Sequence, residues 1–302
     1  MDLSSASFNF EYDGEDFTIP INNYKLRGCQ WKPENSSIKF GIIYVHDIAM
    51  FSTINHDVIN IFIDRGGSIV CCDHIGHGRS PGSRVSCTID EIVNETKDVI
   101  IKTCELLPNL PIFLWGTGVG GLAIIQLVFD HLQFVAQYLN GIILESPFIS
   151  QGPGKLSLFS SFFLSLAAKY FPNYLFSQEP VLESFSPSVS KEFSEKCISS
   201  PLYMPFITPR ALSSILSSMT EIRMKYMEWP KNLPLLFLQG KDDKIVNVEE
   251  SYSWVKDLID STSNKDIQIK LYDTDTSLLL KTEKRPEVLE DMICFINHYS
   301  QN

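Results

Sequence analysis

Six short runs of apolar, largely β-branched residues recur along the 302-residue chain, at 39–46, 67–72, 111–116, 141–146, 234–240 and 267–272. Each run is continuous rather than alternating. That pattern is expected of strands in a parallel sheet covered on both faces. Helix-period segments lie between the runs. Thr88-Ile89-Asp90-Glu91 has the form of a capping box, followed by Ile92, Val93, Val99, Ile100, Cys104 and Leu107 at helical spacing. One helix is expected over Val119 to Tyr138, and two more over VEESYSWVKDLID and PEVLEDMICFINHY. Pro286 suits the first turn of the last, where its missing N–H leaves no bond unmade. Alternating strands and helices imply an α/β fold with a doubly wound, mostly parallel sheet. The alternation stops between Ser150 and Trp229, in a stretch rich in Ser, Phe and Pro. It reads as a helical cap over the sheet's carboxyl edge, where ligands bind in such folds. The expected division is a core of 1–149 and 230–302 and a cap of 150–229.

The formal net charge of -11 and the lack of a Lys/Arg-rich run give no footprint for nucleic acid, which is excluded as a partner. Seven cysteines show no metal-ligand spacing, and Cys71 and Cys72 lie in an apolar strand as buried thiols. The first residues, MDLSSASFNFEYDGEDF, carry no apolar signal core. A reducing, cytoplasmic location follows as the expectation. The longest apolar stretch, Leu156 to Phe171, is short for a membrane span and contains Lys169. It suits a helix that lies on a membrane surface or covers a pocket.

WGTGVGG, Trp115 to Gly121, joins a strand-like run to a helix-like run. Gly116, Gly118 and Gly121 satisfy the dinucleotide fingerprint G-x-G-x-x-G. That fingerprint normally opens the first βα unit, whereas here strands come before it. The same slot fits a nucleophile turn, G-x-S-x-G, with glycine where the serine would stand.

CDHIGHGRSPGSR, Cys72 to Arg84, resembles the loop after the fourth strand in the monoglyceride lipase-like, or serine aminopeptidase-like, α/β-hydrolases. It matches their D-x-x-G-H-G-x-S-x-G at Asp73, Gly76, His77, Gly78, Ser80 and Gly82. The resemblance runs over nearly the whole chain and implies an α/β-hydrolase fold. It places the nucleophile position at Gly118, the acid at Asp243 in LQGKDDKIV and the histidine position at Ser277 in LYDTDTSLLL. It places the oxyanion-binding amides at Ile48 and Val119, and puts Asp47 where the family has a glycine.

On this alignment one of three catalytic groups survives, Asp243 as a vestigial acid. Glycine has no atom that a base can deprotonate, and a serine hydroxyl cannot shuttle a proton near neutral pH. Loss of either group in a serine protease costs about 10⁶-fold in turnover. Glycine at 118 tolerates the strained turn that a nucleophile must endure. The two amides still offer a site for an anionic or carbonyl oxygen. Asp47 either repels such a ligand or fills its space.

The reading is of a hydrolase-fold protein without triad chemistry, requiring no cofactor or metal. It keeps a pocket for a monoacylglycerol-like or other acyl ligand, or serves only as a scaffold. Candidate pocket residues are His46, Asp47, Thr117, Phe148, Phe162 and Phe163. Phe159, Phe162, Phe163, Leu166, Phe171, Leu175 and Phe176 either pack the cap or form an apolar mouth with peripheral membrane contact. Two other classes stand beside this one: a divergent lipase or esterase recruiting His46 or His74, and a protein-interaction module using the cap. Asp242 and Asp243 lack the neighbours of a metal set. His56, His131 and His298 lie on helical patterns.

Overall fold

The structure, a computed structural model, describes residues 3, 7–21, 23–34, 36–152, 158–177 and 186–300, with side chains from 162 onward in the helix that begins at 158. Leu156, Ser157 and the side chain of Phe159 therefore lie outside the described residues.

Eight strands form one sheet in the order β1-β2-β4-β3-β5-β6-β9-β10. They are β1 (Glu15–Ile21), β2 (Tyr24–Trp31), β3 (Phe40–Val45), β4 (Gly67–Cys72), β5 (Ile112–Thr117), β6 (Gly141–Glu145), β9 (Leu235–Gly240) and β10 (Ile267–Tyr272). Two short strands, β7 (Phe176–Ser177) and β8 (Phe206–Ile207), pair separately. All six expected strands are present to within a residue or so at each end. From β4 to β10 every pair is parallel, whereas β1 and β2 enter antiparallel. The sequence pattern does not reveal β1, because Ile19 is its one buried side chain and an edge strand needs no apolar run.

The helices are α1 (His56–Ile63), α2 (Ile89–Leu106), α3 (Gly118–Asp130), α4 (Leu132–Tyr138), α5 (Leu158–Tyr170), α6 (Lys191–Ser199), α7 (Pro209–Met224), α8 (Val248–Thr262) and α9 (Arg285–Tyr299). The capping box at α2 forms as expected: Glu91 N–H donates to the Thr88 hydroxyl, and Thr88 N–H donates to the Glu91 carboxylate. The single helix expected over Val119 to Tyr138 is instead two. His131 leaves the helical region at φ -136 and ψ 45, and α4 turns away from α3 by 106°. The apolar period runs on through FDHLQF, so the break leaves no mark in the sequence.

Successive residues of each central strand face opposite layers. Ile43 and Val45 join Leu114, Leu144 and Phe237 under α2, α3, α7 and α8, while Ile42 and Tyr44 join Trp115, Ile143 and Leu238 under α1 and α9. This two-sided burial explains the continuous apolar runs. The segment between β6 and β9 reaches both layers. Ala211, Ile215 and Ile222 of α7 join the first, and Phe193 and Cys197 of α6 join the second. Among the described residues no single helix is long and apolar enough to cross a membrane. The bent pair α3 and α4 passes that test only jointly, and α3 is buried in the core.

Candidate functional site

Strand β5 ends at Thr117, and α3 begins at once with Gly118, whose φ is +51. This left-handed turn is strained for any residue with a side chain. It stands beside the loop after β3, and there the decisive contact occurs. Asp47 Oδ1 accepts two hydrogen bonds, each 2.7 Å, from the backbone N–H groups of Ile48 and Val119. These are the two amides that the resemblance assigns to the oxyanion. Of the two outcomes open for Asp47, the structure has the side chain filling the space. A Cβ on residue 118 would overlap the Asp47 carboxylate. Burial pushes the Asp47 carboxyl up to about 6, against the pull of its two N–H donors.

A cavity of about 20 Å³ adjoins this turn, lined by Asp47, Thr117, Gly118, Glu145, Ser277 and Lys281 among others. It has room for about one water molecule. The structure thus brings Gly118, Ser277, Asp47 and Thr117 together. Thr117 Oγ1 lies 3.0 Å from the Tyr44 hydroxyl oxygen. Asp243 is buried near the end of β9 but does not line the cavity. Its carboxylate accepts from Gln239 Nε2 at 2.8 Å and from the amides of Ile245 and Val246 at 2.8 and 3.2 Å. Burial shifts it above the usual carboxylate range. Among the described residues no group of three His, Cys, Asp or Glu side chains is placed to hold a metal ion.

Four of the expected pocket residues lie elsewhere. His46 is fully buried and turns toward His74 and His77, away from the cavity. Phe148 is half-buried against the layer under α2 and α3. Phe162 and Phe163 are 61% and 51% exposed on the outside of α5. The reason lies in helix geometry. Leu164, Ala167 and Ala168 are the half-buried face, at spacing i, i+3 and i+4, and α5 packs on α7. The aromatics are left on the other face. Cys72 lies near His74 and Glu95, with its thiol pushed well up by burial.

Several groups at the cavity escape sequence reasoning. Glu145 ends β6, accepts from Trp115 Nε1 at 3.2 Å and from Leu280 N–H at 3.4 Å, and is pushed up to about 7 by burial. Lys281 donates to Asp57 at 2.5 Å, with both side chains 1% exposed, and Arg285 shares the same carboxylate. Lys281, directly after the apolar run Leu278–Leu280, is the signal available.

Comparison with known proteins decides the family. Residues 37–275 match the family described as Serine aminopeptidase, S33. The chain belongs to the serine aminopeptidase, S33 family. Rat monoglyceride lipase is 24% identical over 270 residues, covering 88% of this chain and 84% of that one. The monoglyceride lipase homolog of Monkeypox virus is 26% identical over 211 residues, covering 67% and 68%. Among solved structures, a soluble variant of monoglyceride lipase from Saccharomyces cerevisiae in complex with a substrate analog superposes with TM-score 0.81 at 17% identity, covering 97% and 99%. Monoacylglycerol lipase of Paleococcus ferrophilus gives 0.73 at 20% identity, covering 91% and 98%. The fold of this serine aminopeptidase-family chain is that of the α/β-hydrolases. Among the described residues, no histidine lines its cavity beside Gly118.

Proposed function

We propose that this chain is a catalytically silent member of its family, whose acyl-oxygen site is occupied by its own Asp47 carboxylate. The observation that carries the reading is the pair of 2.7 Å bonds from Ile48 and Val119 N–H to Asp47 Oδ1 beneath Gly118. Acyl transfer needs a nucleophile, a base to activate it and free donors for the developing oxyanion. Gly118 supplies no nucleophile, and Ser277 supplies a hydroxyl where the resemblance implies imidazole. The donors are already satisfied by a charged oxygen held at hydrogen-bond distance. The alternative of a displaced triad finds no support in the cavity lining, because His46 and His74 are engaged elsewhere. The test is an assay of purified protein with short-chain p-nitrophenyl esters and a monoacylglycerol, alongside fluorophosphonate labelling. Neither turnover nor labelling above background is expected. Turnover that Asp243→Ala abolishes would sink the reading.

A space of about 20 Å³ is far below the roughly 300–1,000 Å³ of a small-molecule pocket. The cavity beside Gly118, as its described residues line it, is thus too small for an acyl chain, and we place the lipid contact on the surface. In the proposed cap, 150–229, the outward face of α5 and the turn after it exposes Phe162, Phe163, Tyr170, Phe171 and Tyr174 beside Lys169. Aromatic residues with a flanking lysine suit a lipid–water interface. The relatives' names, monoglyceride lipases, favour a lipid surface as the occupant of this face.

A further inference from the structure

The loop that carries Asp47 is gripped from behind by three buried histidines. His46 and His74 rings lie 4.1 Å apart, and His77 is 5.5 and 6.1 Å from them. Their hydrogen-bond partners fix their protonation. His46 Nε2 faces the N–H of His74 at 3.1 Å and must accept, so its proton sits on Nδ1 and is donated to Asp47 O at 2.8 Å. His77 Nε2 faces the N–H of Ala49 at 3.3 Å and must also accept, leaving Nδ1–H for Ile75 O at 3.2 Å. His74 meets acceptors on both sides, Glu95 Oε2 at 2.8 Å and His46 O at 3.2 Å. Both of its nitrogens thus face acceptors, and Glu95, itself buried in α2, also accepts from Ile75 N–H.

Three of these bonds end on the backbone between His46 and Ala49, at His46 O, Asp47 O and the Ala49 N–H. Ala49 holds a left-handed φ of 64, a conformation disfavoured for alanine that needs external support. The His77 bond supplies it, one residue beyond the Ile48 amide that Asp47 covers.

We propose that His46, His74 and His77 are positioning residues forming a proton-sensitive clasp that holds the Asp47 carboxylate on the Ile48 and Val119 amides. The inference rests on Asp47 being the occupant of those amides. A proton on Nε2 of His46 or His77 removes an acceptor from a backbone N–H and adds a positive charge inside the buried cluster. The charged or titratable groups facing the cluster are Glu95 from α2, Arg84 and Cys87 beside His77, Cys72 from β4, and Asp47 itself. Burial and the charge of His74 hold His46 well below the usual histidine range and His77 down at about 3. At neutral pH the clasp is closed, and acid opens it. Asp47 gains its own proton earlier, near 6, while still held in place.

Amide hydrogen exchange at Ile48 and Val119, with Leu122 in the core of α3 as reference, tests this in the full chain. At pH 7, His77→Gln, which keeps an acceptor facing Ala49, should match the unaltered protein. His77→Phe, which has none, should speed exchange at Ile48 and Val119 at least tenfold relative to Leu122. On acidification of the unaltered protein, those two amides should open before Leu122 does, and His77→Gln should move that opening to lower pH. Protection unchanged in His77→Phe would overturn the clasp. So would opening in step with Leu122, or an opening pH indifferent to His77→Gln. Ester turnover by the unaltered protein would sink the silent reading and leave these exchange rates as they are, so the two failures are distinguishable.

Discussion

Asp47 Oδ1 stands 2.7 Å from the Val119 amide nitrogen at the first turn of α3, one of the two amides that the resemblance assigns to an oxyanion. The helix N-terminus favours this negative charge, and the Ile48 amide adds a second donor at the same distance. A glycine at 118 is what makes room for it. In the proposed reading, aspartate at 47 and glycine at 118, which the resemblance aligns with a glycine and a serine, thus form one linked arrangement.

Gly118→Ser alone should give no ester cleavage and should destabilise the fold. The new residue must hold a φ of +51 and displace the Asp47 carboxylate. Strain of this kind costs about 1–3 kcal/mol before the displaced charge is counted. Urea denaturation followed by circular dichroism measures the loss. Stability equal to that of the unaltered protein would mean that Asp47 moves aside freely.

Restoring chemistry should require three changes together. Gly118→Ser with Ser277→His supplies a nucleophile and a base on one cavity wall, but Asp47 still covers both amides. Adding Asp47→Gly frees them. The triple variant should cleave p-nitrophenyl butyrate measurably, and Asp243→Asn in that background should abolish the gain. A double variant as active as the triple would show that Asp47 does not obstruct the site.

Much of this site was legible because motif spacing survives substitution. Gly118, Ser277 and Asp47, which the turn patterns single out, line one cavity, and WGTGVGG forms a strand–turn–helix. The direction of the Asp47 side chain was not legible, since it depends on which amides a rotamer reaches. Phe162 and Phe163 were misplaced because α5 is apolar around most of its circumference, and only the small stripe of Ala167 and Ala168 marks the packed face. The ionic group of Asp57 with Lys281 and Arg285 joins residues 224 and 228 positions apart. No local pattern encodes such a pairing.

Asp47→Asn tests the electrostatics of the same contact. The folded carboxyl titrates at about 6, against 3.8 ordinarily. The folded state therefore binds more protons than the unfolded chain between those values. This group costs stability above pH 6, and the cost is relieved as pH falls toward 3.8. Asparagine keeps an acceptor for Ile48 and Val119 without the charge. It should raise stability at pH 7 by roughly 1–3 kcal/mol. The advantage should shrink by pH 4.5. A difference independent of pH in urea titrations at the two values would contradict the assignment.

Asp57→Ala should be among the most damaging single substitutions. Asp57 lies in the first turn of α1 and is the shared counter-charge of Lys281 and Arg285, all three side chains at most 3% exposed. Removing it leaves two buried cations facing each other, for which the expected cost is about 3–5 kcal/mol. Lys281→Met should cost less, because Arg285 still neutralises Asp57 and the new side chain fits the apolar space by Phe8 and Phe193. Thermal denaturation of both variants reads the order. A smaller loss for Asp57→Ala than for Lys281→Met would refute it.

The exposed aromatics of α5 separate a lipid surface from plain packing. Phe162 and Phe163 contact each other edge-on with centroids 5.8 Å apart and face outward, so replacing both with Asp should leave the fold's stability within about 0.5 kcal/mol. Co-sedimentation with phosphatidylcholine vesicles, with and without phosphatidylserine, should show binding by the unaltered protein and at least a fivefold loss in the double variant. Lys169→Glu should weaken binding to the anionic vesicles more than to the neutral ones, because an exposed lysine contributes through surface potential. Retention of the double variant on both vesicle types would remove this face as the lipid contact. A large loss of stability would place the two phenylalanines in the packed core instead.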